Sequence, residues 1–475
     1  MRYPILLVAL LGAACTDAGA PEPTPPPSYP PRPVPASPSR VDVTTRCEPL
    51  LDGEELAAVS PEGHAWLLRS GESTELRVLD PLGDMTSATH ELAFSKIEQL
   101  LAWSDTEATL VADGGLFELV GLDRLAIEPP AGFAESAALC GRPSESGFVL
   151  AGGALSELRT DGLWWSWGPT LEGGAVIERI ADLDGECLAR DSRMWLASSD
   201  DAVLELTASE LRRHAVFEGL VDVAATDAHV FALDATSLHV GPGTWQEWVF
   251  EGAPPEALAA AGGVVTMKVD GRLLRFDGQT FAAVEPEGAV EHFLPHATGI
   301  WTTGDGEICH HALGPMLRLH GVRPHQRTQD EFVSVGVETD AAATPTLELD
   351  GQPVALVDEA GSLGAEVELS VGWHELVARA GDATRSIWIK RLPAVERSFE
   401  KDVAPLYAAS CASSGCHGDG SVDLSTADAW RDRAEEVRKR VVEGRTMPPP
   451  ANVPAGWGDD DVQLVAEWLE GGMLP

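Results

Sequence analysis

From about Leu50 to Val322 the apolar positions fall into short runs rather than long faces. One theme recurs roughly every forty residues. A strand of small apolar residues comes first, a turn with Gly or Asp follows, and a strand rich in Trp or Val comes next. Glu55-Leu56-Ala57-Ala58-Val59, Leu220-Val221-Asp222-Val223-Ala224 and Ala257-Leu258-Ala259-Ala260-Ala261 open the theme. Ala65-Trp66-Leu67-Leu68, Met194-Trp195-Leu196-Ala197 and Gly299-Ile300-Trp301-Thr302 are second strands. Asp161-Gly162, Asp270-Gly271 and Asp277-Gly278 are hairpin turns, where glycine accepts a positive φ. The openings stand near residues 54, 97, 135, 177, 219, 256 and 289, at intervals of 33 to 43 residues. Four short strands fit each interval, which is the period of a propeller blade. The pattern predicts an all-β propeller of about seven blades over residues 46–323, with six or eight also compatible with the spacing. Most of the 14 tryptophans lie in these strands and are assigned to packing between blades.

Over residues 324–393 the pattern becomes strict alternation. Thr346-Leu347-Glu348-Leu349, Glu366-Val367-Glu368-Leu369 and Ser386-Ile387-Trp388-Ile389 each place apolar side chains on one face. That predicts a small antiparallel β-sandwich, and the segment resembles the immunoglobulin-like modules that bridge domains in secreted bacterial proteins. His374 falls on such a strand and is expected to face solvent or a polar neighbour.

From residue 394 to 475 the period turns helical. Ser398 reads as an N-cap with Glu400 and Asp402 in the first turn. The helix runs into Cys411-Ala412-Ser413-Ser414-Gly415-Cys416-His417. Two cysteines followed at once by histidine form the attachment signature of a c-type haem. Two thiols add to the porphyrin vinyl groups, and the adjacent histidine is held under the iron. Four residues separate the cysteines here, where two is usual. A zinc site needs three or four ligands, and between Cys411 and Pro475 the only Cys or His residues are those of the motif. Asp423-Leu424-Ser425-Thr426 precedes a helix expected over 427–443, and Met447 is followed by Pro448-Pro449-Pro450. Asp459-Asp460-Asp461 starts a last helix, whose Val465, Trp468 and Leu469 can pack on Phe399, Val403 and Leu406.

In the order of these elements, residues 399–472 resemble the small cytochrome c domains that end large secreted proteins of planctomycetes and myxobacteria. The resemblance implies an all-α cytochrome c domain holding one haem c. It assigns Cys411 and Cys416 to covalent attachment, His417 to the proximal iron position and Met447 to the distal one.

At the other end, Met1-Arg2 and the apolar run Pro4–Leu11 read as a secretory signal. Leu11-Gly12-Ala13-Ala14-Cys15 resembles the lipobox of bacterial lipoproteins, with Gly12 where that family usually has Leu. The resemblance implies a signal peptide over 1–15 and lipid on Cys15. The other reading of these residues is plain signal-peptidase cleavage after Ala14. Ten prolines between Pro21 and Pro38 predict a semi-rigid linker over 16–45.

Charge and cysteine number complete the reading. The formal net charge is −42, which would repel a phosphate backbone and excludes nucleic acid as a partner. No run of eighteen apolar residues exists, so membrane contact is expected through the lipid anchor alone. With Cys15, Cys411 and Cys416 taken up as the resemblances imply, Cys47, Cys140, Cys187 and Cys309 remain, an even set for an oxidising compartment. Three pairings are possible. A propeller brings its ends together, which favours Cys47–Cys309 and leaves Cys140–Cys187. His310 and His311 are read as solvated. Two functions remain. One is an extracytoplasmic, membrane-anchored electron-transfer protein, periplasmic or at the cell surface, whose propeller docks a partner or ligand. The other is a propeller dehydrogenase that passes electrons to its own haem. Absence of a nucleophile motif or carboxylate pair in the propeller favours the first. Fifteen acids and eight bases from Glu396 onward give −7, leaving −35 elsewhere, so the expected redox partner has a basic face.

Overall fold

The computed structural model describes residues 30–474 except 72, 83–86, 131–132, 134–137, 143–147, 152–153, 159–163, 167–176, 182–192, 208–209, 253–254, 287, 360–361, 395–396, 413–423, 444–445 and 448–456. Segment 1–15 with Cys15, and likewise Cys187, Cys416 and His417, lie outside the described residues.

Seven sheets follow one another along the chain, their first strands starting at Glu54, Ile97, Ala138, Ile177, Asp222, Pro255 and His292. Three starts coincide with the expected openings and the other four lie within three residues of them. The four strands that each of the first six blades takes from one stretch of chain are antiparallel neighbours in chain order. The blades touch in a closed ring: Glu54–Val59 meets Ile97–Ala102 on one side and His292–His296 on the other, and blade four meets blade five where Met194–Ser198 touches Asp222–Ala225. This is a seven-bladed β-propeller.

Second strands such as Ala108–Ala112, Phe148–Ala151 and Val230–Leu233 are buried along their whole length. A strand in mid-blade is covered on both faces by neighbouring blades, so its sequence is a continuous apolar run rather than an alternation. The tryptophans sew blades together. Trp66 Nε1 donates to the Ser104 carbonyl of the next blade, and Trp301 Nε1 to the Gly63 carbonyl, both at 2.8 Å.

The ring is closed by the N-terminal chain. Thr44–Pro49 pairs antiparallel with Glu307–Ala312 and forms the fourth strand of the seventh blade, with Cys47 directly opposite Cys309 and disulfide-bonded to it. Ahead of it, Arg32–Pro33 lies parallel to Gln246–Val249 on blade five, and Ser39–Val41 parallel to Phe281–Val284 on blade six. Val34 is buried in the core between those two blades, and Arg32 stacks over Trp248. The expected linker over 16–45 is therefore corrected. Within it Arg32–Pro33 and Ser39–Val41 are edge strands on the propeller rim. Proline is tolerated there because an edge strand has one unpaired side.

Leu317–His320, Phe332–Thr339, Ser362–Glu368 and Val357–Glu359 form one sheet of the sandwich. The other contains Gln326–Thr328, Ala383–Arg391, Gly372–Ala380, Thr346–Leu349 and Gln352–Val354. Val335, Val337, Leu347, Leu376, Ile387 and Ile389 fill the space between the sheets. Two details correct the expectation. The sandwich takes in Leu317–His320, ahead of residue 324, and Gln326–Thr328 runs parallel to its partner.

The C-terminal part is helical. A wide turn at Phe399–Val403 leads into helix Ala404–Ser410, and Ser398 Oγ caps it by accepting from the Lys401 N–H at 3.2 Å. The helix expected over 427–443 is broken into Ala427–Arg431, Ala434–Val437 and the turns Arg438–Glu443. Asp459–Glu470 follows, its start fixed by the Asp461 carboxylate accepting from the Gly458 N–H at 2.8 Å. Val465, Trp468 and Leu469 pack against Phe399 and Val403 as the spacing predicts.

Candidate functional site

Cys411 sits where helix Ala404–Ser410 ends, its N–H donating to the Tyr407 carbonyl at 2.8 Å. It is half-buried and packs on the cluster formed by Phe399, Tyr407, Trp430 and Trp468. Met447 packs on the same cluster, and its N–H donates to the Arg440 carbonyl at 3.1 Å. Trp430 stands edge-on to Trp468 at 6.0 Å and to Tyr407 at 6.3 Å. The chain thus brings a thiol and a thioether, 36 positions apart, to one aromatic wall. These residues fit a haem. The macrocycle needs an apolar, aromatic surround, the thiol can carry a thioether link to it, and a methionine sulfur is a soft axial donor. Cys416 and His417 lie outside the described residues.

A second constellation escaped the sequence reading. The sandwich docks on the propeller through arginines. Arg318 Nε donates to the Glu62 carbonyl at 2.7 Å, and its Nη2 pairs with Asp80 at 2.8 Å. Arg323 stacks over Trp103, and Arg327 pairs with the fully buried Glu157 at 3.3 Å. His320 bridges Glu338 at 2.9 Å and Glu62 at 3.4 Å. Burial pushes the His320 imidazole down, but the hydrogen bonds of Glu338 and Glu62 outweigh it and lift it to about 9.

His310 and His311 are buried, not solvated. His310 Nε2 meets His296 Nε2 at 2.9 Å, a contact possible only when one ring donates and the other accepts. His311 bonds Thr302 Oγ1 at 2.8 Å and Thr45 Oγ1 at 3.0 Å, the latter on the closing strand. A Cβ at Gly299 would lie 2.4 Å from His310 Nε2 and 2.5 Å from His296 Nε2, so only glycine lets the pair close. Burial, then His311, brings His310 down to about 3; burial lowers His311 to about 4. His374 is buried too, held by Asp350 Oδ2 at 2.7 Å and the Ser370 carbonyl at 2.8 Å.

Cys47 and Cys309 pair as expected. Cys140 is also disulfide-bonded, while its expected partner Cys187 lies outside the described residues. Among the described residues the one triad of metal-binding type is Cys47, Glu307 and Cys309, and its two sulfurs are already joined. No helix among the described residues is long and apolar enough to cross a membrane.

The inner strands leave a cavity of about 160 Å³ beside the propeller axis. Ala57, Ala102, Ala259 and Leu294 line it from four blades, with His296 beside them and Arg385 reaching in from the sandwich.

No family model matches the chain, and no curated protein matches its sequence. Solved structures with a similar fold include the extracellular domain of the one-component system BT4673 from B. thetaiotaomicron, 11% identical with a TM-score of 0.42 over 74% of this chain. The match spans 59% of that domain's length. BamB from Moraxella catarrhalis is 14% identical with a TM-score of 0.34, covering 54% of this chain and 84% of that one. The Dos1 propeller is 10% identical with a TM-score of 0.35, covering 52% of this chain and 76% of that one. These are likenesses of fold, and the assignment as a propeller rests on the seven sheets themselves.

Proposed function

We propose that the C-terminal helical domain binds one haem c and that the protein transfers electrons outside the cytoplasm, with the propeller as docking scaffold. The observation that carries this reading is the Cys411-Cys416-His417 motif of the sequence, whose Cys411 packs on the same aromatic core as Met447. When bound, a haem held by His and Met would supply one-electron chemistry at raised potential. The residues of this chain do the rest. Cys411 and Cys416 would tether the group, His417 and Met447 would hold the iron, and Phe399, Trp430 and Trp468 would exclude water. Structural disulfides fit an oxidising compartment, and lipid on Cys15 would anchor the chain there.

Protein made in a host with haem-attachment machinery should keep its colour after denaturing electrophoresis. Cys416→Ser should lose most of that colour, and Met447→Ala should keep it but lose the weak sulfur-to-iron band in the near infrared. Colourless wild-type protein would overturn the reading.

The charge distribution bears on the partner. A net −35 outside the helical domain steers a basic redox partner, and salt screens that field beyond about 8 Å. Reduction by a basic small cytochrome should slow steeply with added salt, mostly through association. Equal low-salt rates with an acidic donor would remove the steering.

A further inference from the structure

We propose that His296 and His310 form a two-coordinate site for a soft monovalent metal ion, Cu(I). The site is independent of haem attachment. The two rings lie within 18° of one plane, with centroids 5.1 Å apart and Nε2 atoms 2.9 Å apart. The difference is about two ring radii, so the imidazoles meet head-on and each Nε2 points at the other. A proton shared along that line is one occupant. A metal ion with two donors in line is another. Metal–imidazole bonds are about 2 Å long, so the nitrogens must part to about 4 Å, a movement of about 1 Å. The surroundings allow it on one side. His310 is fixed: its strand is paired on both edges, and its ring packs on Trp301 with centroids 4.8 Å apart. His296 has room. It ends the innermost strand His292–His296 and lines the cavity of about 160 Å³. Gly63 and Gly299 stand beside its ring without side chains, and a Cβ at Gly63 would lie 3.1 Å from its Nδ1 and Cε1. The cavity also gives an ion its way to the pair.

Donor number and charge select the ion. A zinc site needs three or four ligands, and this pair offers two. Arg46 and Arg318 face His310, while Arg318 and Arg385 face His296; Asp80 is the acid that opposes them at His310. One added positive charge is therefore tolerated better than two, which favours a monovalent ion over a divalent one. Imidazole is a good ligand for copper, and Cu(I) accepts two donors in line. Burial, first among the causes, keeps both rings neutral, so at ordinary pH their lone pairs are not lost to protons. On binding, the ring that donates in the empty pair carries its proton on Nδ1 instead of Nε2. No proton is released, and the site gains the one charge of the ion.

The test is titration of the full chain, disulfides intact and any free thiol alkylated, with Cu(I) under argon against the chromophoric chelator bicinchoninate. One equivalent should be withheld from the chelator. X-ray absorption of that complex should show two nitrogen neighbours in line and no sulfur. His310→Gln should weaken the affinity at least tenfold. His311→Gln, next on the same strand but turned to Thr45 and Thr302, should bind as the wild type does. Cu(I) should raise the melting temperature of the wild type and of His311→Gln, and leave that of His310→Gln where it is. The absorption spectrum is read on the wild type, so the test stands even where His310→Gln fails to fold. No equivalent withheld, a sulfur-bound spectrum, or equal affinity in His310→Gln would each overturn the site.

Discussion

Replacing Cys47 and Cys309 together by alanine should lower the melting temperature by roughly 10 °C. The disulfide closes a loop spanning 262 residues, and in the chain-entropy picture a loop of that size is worth about 5 kcal/mol, at the upper end of what disulfides deliver. The location matters as much as the loop. Blades touch only their neighbours, so a ring that can open at one junction frays from there, as linear arrays of repeats do. Blade seven is that junction, because its fourth strand, Thr44–Pro49, arrives from the other end of the chain. Without the disulfide, six register pairs from Thr44–Ala312 to Pro49–Glu307 still hold it. Arg77 also holds it, donating to Glu48 Oε2 at 3.3 Å and to the Pro49 carbonyl at 3.1 Å. The double variant should therefore fold but open locally. Hydrogen exchange in peptides covering 44–49 and 292–312 should quicken on the order of a hundredfold or more, while 372–391 in the sandwich stays protected. Unchanged protection in blade seven would mean that strand pairing alone closes the ring.

The propeller was legible because its signal is local and repeated. Small apolar first strands and Asp-Gly or similar turns recur at a fixed interval, and Glu54, Ile97 and Ile177 begin strands where the pattern puts them. What was not legible depends on distant partners. Arg32–Pro33 and Ser39–Val41 carry a linker's composition, and only the edges of blades five and six make them strands. Leu317-Arg318-Leu319-His320 alternates like the sandwich it joins, but its place directly after blade seven made it read as the end of the propeller. The buried histidines were misread for a related reason. Polar side chains on a strand usually mark its wet face, but the third strand of a blade has no wet face. A signal for this was present. Arg77, Glu118, Glu157, Glu205, His239 and His310 are ionisable residues in the third strands of six blades, and all six are buried. One ionisable residue recurring in successive apolar strands marks an internal polar ring, not a surface. In the helical domain the cap at Ser398 and the packing of Trp468 were readable from spacing. The break at Asp432–Arg433 was not, since neither residue is a helix breaker.

Acid should open the same blade that the disulfide closes. His310 and His311 lie on Glu307–Ala312, the strand that receives the closing strand, and are 2% and 0% exposed. The groups that face them are His296 from the same blade, Arg46 and Thr45 from the closing strand, and Arg318 with Asp80 from the sandwich junction. Burial comes first among the causes and keeps both rings neutral, with His310 at about 3 and His311 at about 4. In the unfolded chain both titrate near 6.5. The unfolded state therefore takes up protons first, so stability is complete above pH 6.5 and falls as pH drops toward the folded values. At pH 5 each histidine removes about 2 kcal/mol, or about 4 kcal/mol for the pair. The carboxylates Asp80, Glu338 and Glu470 are themselves held below their ordinary values, so their contribution is lost only at lower pH. His320 does not compensate, because its raised value leaves its contribution complete throughout this range and lost only toward pH 9. The interval from pH 6.5 to 5 thus belongs to the buried histidines. Hydrogen exchange corrected for its intrinsic pH dependence should show blade seven losing protection over that interval, ahead of the sandwich core. Gln can keep the bonds to Thr302 and Thr45, so His311→Gln should fold and reduce the loss, and adding His310→Gln should reduce it further, the remainder belonging to His296 and His64, which burial also holds below 6.5. A double variant with the full acid response would show that the protons go elsewhere.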